Sequence, residues 1–230
     1  LRMHAFETRK LQEVDHLKSQ FFANISHEFR TPLTLILGPL ENLLTRIKDK
    51  SISAELKLIK RNSERLLTLI NQILDLSRLE SGKEQLSVVR GDFINVLRGI
   101  VMSFASLAEQ RDIDIIFESA YGNKDPDIYF DRDKVEKIFT NLLSNAFKFT
   151  QDNGIVRIEV NRSAETAHPD NSEIRTEFVV VTITNSGSLI PQHEINHIFD
   201  RFYRAEFAGE NGFQSTGIGL ALVKELTSLH

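Results

Sequence analysis

The sequence predicts an α+β protein: a helical hairpin that forms a dimeric four-helix bundle, followed by an α/β sandwich with a mixed sheet. Three observations support this fold class. Apolar residues recur at helical spacing to about residue 81, with almost no strand signal. From residue 84 onward, β-branched runs alternate with amphipathic segments. Gly82 lies between the two regions and is suited to end a helix. We therefore expect domains at 1–82 and 83–230.

The first domain is predicted to contain helices over 11–47 and 52–80, joined by the short polar segment "RIKDKSIS" into an antiparallel hairpin. The apolar stripe of the first helix has an average spacing of about 3.6 residues and comprises Leu11, Val14, Leu17, Phe21, Ile25, Phe29, Leu33, Ile36, Leu40, Leu43 and Ile47. The coiled-coil-like seam of the second comprises Ile52, Leu56, Ile59, Ser63, Leu66, Ile70, Ile73 and Ser77. Two helices cannot bury this much Leu and Ile, so we expect a homodimer.

The second domain is predicted from alternating strands and helices. The strand candidates are "QLSVV", "DIDIIFES", "DIYF", "IVRIEV" and "FVVVTIT". The helix candidates are "FINVLRGIVMSFASLAEQ", "DRDKVEKIFTNLLSNAFKF" and "IGLALVKELTSL". The segment "RSAETAHPDNSEIRTE" is interpreted as an exposed hairpin loop. This order predicts a mixed sheet with helices layered on it.

Composition narrows the function classes. The chain has 230 residues, 41% hydrophobic and 26% charged, with a net charge of −4 and no cysteine. Disulfides, thiolate zinc sites and cysteine nucleophiles are thereby excluded, and the net charge argues against nucleic-acid binding by this fragment. No run of 18 apolar residues and no signal-peptide pattern is present. The chain starts within a helical pattern and ends on "ELTSLH", so we expect a piece of a longer protein.

His27 is the first candidate functional residue. It lies two positions from both Ile25 and Phe29 of the apolar stripe, which is about 200° around the helix. His27 is therefore predicted to point away from the stripe. Pro32 follows five residues later and is expected to loosen and bend the helix without ending it.

The neighbours of His27 favour nucleophilic chemistry over metal binding. A metal site would need a second ligand three or four residues later, where the chain has Arg30 and Thr31. Glu28 follows directly, and a carboxylate can hold the proton on one imidazole nitrogen while the other acts as a nucleophile. The alternative is a structural histidine.

The segment "KIFTNLLSNAFKFT" contains the second candidate site. Asn141, Asn145 and Lys148 are four and three residues apart, so they share one helix face. Two carboxamides and an ammonium suit a phosphate-bound divalent cation such as Mg²⁺. The alternative is an ordinary solvated face, although asparagine is a poor helix former.

Three further segments are "NSGSLIP", "IFDRFYR" and "GENGFQSTGIGLALVKEL". In the first, Gly187 permits a tight turn or a close backbone approach. The second carries Arg201 and Arg204. In the third, Gly217 and Gly219 precede a helix whose N-terminal N–H groups can bind an anion. Taken singly, the three could be a turn, a docking segment and a weak phosphate signal.

In sequence and in order, these segments resemble the blocks of sensor histidine kinases, over about residues 15–230. "SHEFRTPL" resembles the H box, "NLLSNAFKFT" the N box, "NSGSLIP" the G1 box, "IFDRFYR" the F box and "STGIGLALVKEL" the G2 box. The resemblance implies a HisKA-type dimerisation and phosphotransfer hairpin followed by a HATPase (GHKL-type) ATP-binding domain. Both agree with the fold predicted above.

The resemblance also implies roles for the residues of the first domain. His27 would be the phosphoacceptor and Glu28 the base that assists its attack on the γ-phosphate of ATP. Thr31 falls where the family positions a water molecule for the dephosphorylation of a partner. That partner would be a response-regulator receiver domain, which accepts the phosphoryl group on an aspartate.

In the ATP-binding domain, the resemblance implies that Asn145 holds Mg²⁺ with support from Asn141. Lys148 would contact phosphate, and Phe149 would line the adenine pocket. Arg201 and Arg204 would neutralise charge on the transferred phosphoryl group. A lid is expected over 203–216. The residues expected at the base of that lid are Gly217, Gly219 and Leu220.

Three positions depart from the family pattern. The G1 box usually has Asp at the position of Asn185, where its carboxylate accepts a hydrogen bond from the adenine amine. The second G1 glycine is Leu189, and the first G2 glycine is Ser215. Family members also continue past the last helix with strands that complete the sheet, so those C-terminal strands are expected to be missing here. Weakened nucleotide binding is therefore expected.

The leading interpretation is an ATP-dependent protein-histidine kinase core. "HEFRTPLTLILGPLENLL" and "AEQRDIDIIF" are similar to hybrid two-component sensors of Bacteroidetes, so we expect the cytoplasmic portion of a membrane-anchored parent. The alternative is a signalling scaffold or phosphatase-biased module with degenerate nucleotide binding. A generic gyrase-type ATPase is disfavoured, because Asn141 replaces its usual catalytic glutamate and His27 would have no role.

Overall fold

The computed structural model describes residues 2–82, 84–121, 127–166, 175–187, 189–204 and 216–230. Within these ranges it describes only the backbone of residues 2–20, 22, 23, 27, 127, 164–166 and 175–177. The chain separates into two compact units, Leu1–Gln85 and Leu86–His230. No helix in the described ranges is both long and apolar enough to cross a membrane.

The first unit is a hairpin of α1 (Arg2–Arg46) and α2 (Lys50–Glu80), which confirms the predicted helix pair. The connection is shorter than predicted because Asp49 already caps α2. Its Oδ1 accepts hydrogen bonds from the backbone N–H groups of Ser51 at 2.8 Å and Ile52 at 3.2 Å. These bonds satisfy two N–H groups that a helix start leaves without partners.

The end of α2 at Gly82 and the continuation of α1 through its prolines both agree with the sequence-based predictions. Gly82 adopts a φ of +63°, and its N–H donates to the carbonyl of Leu79 at 3.0 Å. This left-handed conformation ends α2, as predicted. α1 continues without interruption through Pro32 and Pro39. Pro32 therefore does not end the helix.

Burial along both helices of the hairpin follows a seven-residue spacing. In α1 the buried positions of this spacing are Ser26, Leu33 and Leu40. The apolar residues that stay exposed in α1 at the same spacing are Phe29, Ile36 and Leu43. In α2 the corresponding buried residues are Ile70 and Ser77, and the exposed ones are Ile52, Ile59 and Leu66. Among the side chains that the structure describes, half of the α1 stripe and three of the eight seam residues of α2 are thus exposed in a single chain.

The described strands of the second unit form two sheets. β1 (Val89–Asp92) pairs antiparallel with β3 (Asp127–Phe130). In the larger sheet, β4 (Ile155–Thr166) is parallel to β2 (Asp114–Ser119) on one side. On its other side, β4 is antiparallel to β5 (Arg175–Asn185). The larger sheet is therefore mixed, which confirms the predicted fold class.

Helices cover this sheet and enclose an apolar core. The described helices of this unit are α3 (Phe93–Met102), α4 (Ala105–Gln110), α5 (Arg132–Phe149), α6 (Gln192–Ile195) and α7 (Gly219–Leu229), of which α4 contacts β2 and α5 contacts β5. α5 packs against α3, α7 and β5. Alternate residues of β4 are buried, as expected for a strand with one covered face: Val156, Ile158 and Val160. α5 is thus the central helix of the unit, with one face left for polar residues.

The prediction of one helix over "FINVLRGIVMSFASLAEQ" is wrong, because the structure breaks it between α3 and α4. The Oγ of Ser103 donates to the carbonyl of Ile100 at 2.6 Å. The ring of Phe104 stacks on that of Phe147, with centroids 5.2 Å apart. The chain turns here because Phe104 packs against α5 instead of extending the face of α3.

The prediction of a strand at "QLSVV" is also wrong in its position. β1 begins only at Val89, the last residue of that segment. Earlier in the segment, the N–H of Ser87 donates to Oδ2 of Asp131 at 2.7 Å. The backbone there is held by a side chain, so it does not extend the strand.

The predicted hairpin loop "RSAETAHPDNSEIRTE" is partly strand. β4 and β5 extend into it as far as the pairing of Thr166 with Arg175. The ladder continues because strand backbones pair regardless of whether their side chains are polar. The centre of the predicted loop, 167–174, lies outside the described residues.

Candidate functional site

The segment around His27 lies within α1, and its backbone is helical throughout. The side chain of His27 is outside the described part of the structure, so its outward orientation stays a prediction. The side chains of Glu28 and Thr31, one and four positions later, are exposed. Glu28, predicted to assist His27, and Thr31, predicted to position a water molecule for dephosphorylation, are therefore both accessible from solution.

Two further residues near His27 were not predicted. Ser26 is buried in the hairpin, and Nη2 of Arg30 donates to Oδ1 of Asn71 in α2 at 2.7 Å. This partly buried bond ties α1 to α2 within one turn of His27 and so limits rotation of α1 about its axis. Ser26 lies one heptad before Leu33, a spacing that the sequence shows. Asn71 carries no such signal, because its role depends on the facing helix.

α5 begins at a buried ion pair that sequence reasoning also missed. Oδ1 of Asp131 accepts a hydrogen bond from the N–H of Lys134 at 3.2 Å, and Oδ2 lies 3.0 Å from the Nζ of the same lysine. Burial alone would raise the pKa of Asp131. Hydrogen bonds from Ser87 and Lys134, together with the lysine charge, lower that pKa to about 2. The ionised carboxylate therefore caps α5 at neutral pH.

The predicted polar row lies along α5. Asn141, Asn145 and Lys148 are all partly exposed. The Nδ2 of Asn141 donates to the carbonyl of Lys137 at 2.7 Å, and its other end is a carbonyl oxygen, a ligand type that Mg²⁺ accepts. The Nζ of Lys148 lies 4.9 Å from the ring centroid of Phe149. The structure thus joins the predicted phosphate-binding lysine to the predicted adenine-binding aromatic residue.

The end of α5 meets the "NSGSLIP" loop through Gly187. Thr150 and Gly187 form an antiparallel β-bridge. A Cβ at Gly187 would overlap the carbonyl oxygen of Phe149 and would lie 2.6 Å from Nδ2 of Asn185. Only glycine therefore permits this approach. Phe149 and Asn185, predicted to line one adenine pocket, are brought to the same glycine.

The "IFDRFYR" segment meets Gly217, which precedes α7. The N–H of Phe202 donates to the carbonyl of Gly217 at 2.8 Å, and both residues have positive φ, +61° and +69°. A Cβ at Gly217 would lie 2.8 Å from the carbonyl oxygen of Tyr203. Arg201 and Arg204 flank this contact and have exposed side chains. The strained backbone therefore holds both arginines next to the start of α7.

The first turn of α7 contains Gly219 and Leu220, which are partly exposed. The residue before it, Ile218, is completely buried and anchors this end of the helix. A helix start presents N–H groups without internal partners, which suits an anion. Most of the predicted lid, residues 205–215 with Ser215, lies outside the described part of the chain.

These contacts connect the predicted residues of the second unit in two groups, one at the end of α5 and one before α7. α5 packs against both α7 and β5. Among the described residues, no cluster of three His, Asp or Glu side chains could hold a metal ion. The available chemistry is amide oxygens, an ammonium group and helix N–H groups, which suits phosphates and a phosphate-bound cation.

Two family models match the chain in the same order as the two units. Residues 17–82 match the His Kinase A (phospho-acceptor) domain, and residues 130–230 match the histidine kinase-, DNA gyrase B- and HSP90-like ATPase. His27 lies in the first match, and the polar row of α5 lies in the second. The chain therefore belongs to the histidine kinases and carries their catalytic core, as the sequence predicted.

Particular relatives agree with this class. Sensor histidine kinase TmoS of Ectopseudomonas mendocina is 36% identical over 236 residues, which cover 100% of this chain and 23% of TmoS. Histidine kinase P4 of Formosa agariphila is 32% identical, covering 100% of this chain and 16% of its own length. Hybrid signal transduction histidine kinase D of Dictyostelium discoideum is 36% identical, covering 96% and 14%. The chain thus spans less than a quarter of these relatives.

Solved structures agree on the fold. The full-length ShkA in complex with AMPPNP has a TM-score of 0.71 at 24% identity, over 92% of this chain and 41% of ShkA. Histidine kinase ThkA in complex with response regulator protein TrrA has a TM-score of 0.53 at 23% identity, over 89% of this chain and 56% of that chain.

The relatives named above are sensor and hybrid kinases, so the scaffold alternative is not favoured.

Proposed function

We propose that this chain transfers the γ-phosphoryl group of ATP to His27 and then to an aspartate of a receiver domain. One observation carries the proposal: His27 lies in a phospho-acceptor match and Asn145 in an ATPase match of the same chain. One imidazole nitrogen attacks the γ-phosphorus, the bond to the β–γ bridging oxygen breaks, and ADP leaves with that electron pair. Glu28 would hold the proton of the other ring nitrogen and so stabilise the charge on the ring.

The nucleotide would be bound by the second unit. Lys148 and the first turn of α7, Gly219 and Leu220, would bind the phosphates. The carbonyl oxygen of Asn145, supported by Asn141, would be a ligand to Mg²⁺. Mg²⁺ typically keeps several waters and takes few protein oxygens beside substrate phosphates, so an amide row fits it.

Adenine would be recognised near the contact at Gly187, and the transferred phosphoryl group near the contact between Phe202 and Gly217. Phe149 would pack on the adenine, and Asn185 would accept a hydrogen bond from its exocyclic amine. Arg201 and Arg204 would offset charge on the phosphoryl group in transit. These roles are supported by the contacts at Gly187 and by the approach of Phe202 to Gly217.

Labelling of the parent protein with γ-labelled ATP tests the proposed reaction. A phosphohistidine loses its label in acid and keeps it in base, whereas a phosphoserine or phosphothreonine does the opposite. We expect incorporation that is lost in acid. Label that survives acid, or no label in a protein that binds ADP, would contradict the proposed transfer.

Replacing Asn185 by aspartate is expected to tighten ADP binding several-fold. A hydrogen bond to a charged group contributes about 1.5–3 kcal/mol and a neutral one about 0.5–1.5 kcal/mol, a difference of about 1 kcal/mol, or somewhat under tenfold. Calorimetry with ADP measures the gain, and inosine diphosphate, which lacks the amine, is the control. An equal gain for both nucleotides would show that Asn185 does not read adenine.

The exposed half of the hairpin stripe supports the proposal of a homodimer. Its residues lie one heptad apart on each helix, which is the pattern of a coiled-coil seam. Packing of two such hairpins would cover them in a four-helix bundle. This exposed seam comprises Phe29, Ile36, Leu43, Ile52, Ile59 and Leu66.

Ile59→Glu is expected to convert the dimer to a folded monomer, because it places an unpaired charge in the interface. Leu58→Glu is the matched control: Leu58 is 50% exposed against 46% for Ile59, but lies off the heptad. Sedimentation velocity and circular dichroism would measure both variants. A charge at Ile70, which is buried in one chain, is instead expected to unfold the hairpin. A dimeric Ile59→Glu would refute this interface.

The partner and the parent protein complete the proposal. A receiver domain would approach the exposed Glu28 and Thr31 on α1, with Thr31 positioning water for the reverse dephosphorylation. The parent would be a sensor anchored in the inner membrane, with this chain in its cytoplasmic portion. The sensor and hybrid kinases among the relatives support this arrangement.

A further inference from the structure

Arg111, the residue that follows α4, makes three hydrogen bonds to one short segment. Its Nη1 donates to the carbonyl of Phe147 at 2.6 Å, and its Nη2 donates to the carbonyl of Thr150 at 2.7 Å. Its Nε donates to Oδ1 of Asp152 at 2.8 Å. The Arg111 side chain is 20% exposed and the Asp152 side chain 69%. The two backbone bonds are therefore the shielded part of the contact.

The segment held by Arg111 is the end of α5 and the turn after it. The last carbonyls of a helix have no partner within the helix, and a cation at this end is also favoured by the helix dipole. The carbonyl of Arg111 accepts in return from the N–H of Asn153 at 3.1 Å. A Cβ at Gly154 would lie 2.7 Å from Oγ of Ser186, so the turn has little room to shift.

The two carbonyls bonded to Arg111 belong to the residues on either side of Lys148 and Phe149. These two side chains are the ones proposed to meet phosphate and adenine. Thr150, which follows them, also forms the bridge to Gly187. The planar guanidinium of Arg111 bonds to both carbonyls. It therefore fixes the backbone of Lys148 and Phe149, whose side chains are proposed to bind the nucleotide.

We infer that Arg111 is a positioning residue for nucleotide binding, acting through Lys148 and Phe149. The inference rests on the proposed function of the second unit as an ATP-binding domain. Lysine cannot replace arginine here, because an ammonium is a point charge and cannot span two carbonyls in one plane. A small misplacement of a binding group can cost far more than the lost bonds themselves.

Arg111→Lys is expected to weaken Mg²⁺–ADP binding about tenfold by calorimetry, with the domain still folded. Two matched controls are expected to stay within about twofold. Asp152→Ala removes only the exposed acceptor of Arg111. Arg157→Lys makes the same exchange at an exposed arginine, whose Nη1 lies 2.9 Å from Glu118. Unchanged ADP binding by Arg111→Lys would overturn the inference.

A double-mutant cycle separates positioning from general stability. In a Lys148→Ala background, Arg111→Lys is expected to cost no more than about threefold, because Lys148, one of the two side chains it positions, is gone. If the losses of ADP affinity in the two single variants multiply in the double variant, the inference is overturned. If Arg111→Lys does not fold, the same cycle is read with Arg111→Gln, whose amide keeps a planar donor. Failure of the unaltered chain to bind ADP would contradict the proposed function itself.

Discussion

Replacement of His27 by glutamine is expected to abolish the acid-labile label from γ-labelled ATP in the parent protein and to leave ADP binding by the chain unchanged. Glutamine has a similar length and polarity but no nucleophilic ring nitrogen, so no phosphoramidate can form. The two readouts separate because His27 lies in one unit and the nucleotide-binding residues lie in the other. Radiolabelling and calorimetry measure them independently.

His193→Gln is the matched control for that variant. His193 is a histidine in the second unit with a side chain that is 79% exposed, and it has no proposed role in the transfer. Its replacement is expected to leave the label intact. Asn145→Ala, unlike His27→Gln, should weaken Mg²⁺-dependent nucleotide binding itself, and the label should fall with it. Label retained by His27→Gln would remove this residue as the phosphoacceptor.

Gly187→Ala is expected to weaken ADP binding more than tenfold and to lower the melting temperature of the chain by about 3–10 °C. The added Cβ would overlap the carbonyl oxygen of Phe149 and lie 2.6 Å from Nδ2 of Asn185. Overpacking of this kind costs about 1–3 kcal/mol. Relief of the overlap must separate the end of α5 from the "NSGSLIP" loop, which moves both adenine-binding side chains. Calorimetry and thermal denaturation measure the two effects.

The control for Gly187→Ala is the same exchange at Gly99 in α3. A Cβ there meets no atom within 4 Å, and alanine is favoured over glycine within a helix by about 1 kcal/mol. Gly99→Ala is therefore expected to keep ADP affinity and to raise the melting temperature slightly. Equal behaviour of the two variants would show that the contact at Gly187 is unimportant for the site.

Elements with strong local signals were predicted from the sequence. α5 lies within one residue of its expected limits, because its apolar face at helical spacing depends only on residues of the segment itself. The end of α2 at Gly82 was predictable for a similar reason, because it needs only the left-handed conformation of that glycine. The strands of the mixed sheet were found where β-branched residues alternate, although their ends were misplaced.

Elements whose limits depend on distant residues were not predicted. The break between α3 and α4 follows the stacking of Phe104 on Phe147, which is remote in sequence. The start of β1 was misplaced because Ser87 donates to Asp131, 44 residues later. The start of α2 at Lys50 is a different case. Asp49 directly precedes the helix, and aspartate is a known N-cap residue, so the sequence contained the signal for this start.

By itself, the sequence determined the family, the order of its motifs and the residue types available for phosphotransfer. Those properties are local, because a spacing of three or four residues places side chains on one helix face whatever the rest of the chain does. The tertiary structure alone decided that Gly187 meets Phe149 and that Arg111 holds carbonyls 36 and 39 residues away. A side chain bonded to a distant backbone carbonyl leaves no periodic pattern, since its partner is chosen by the path of the folded chain.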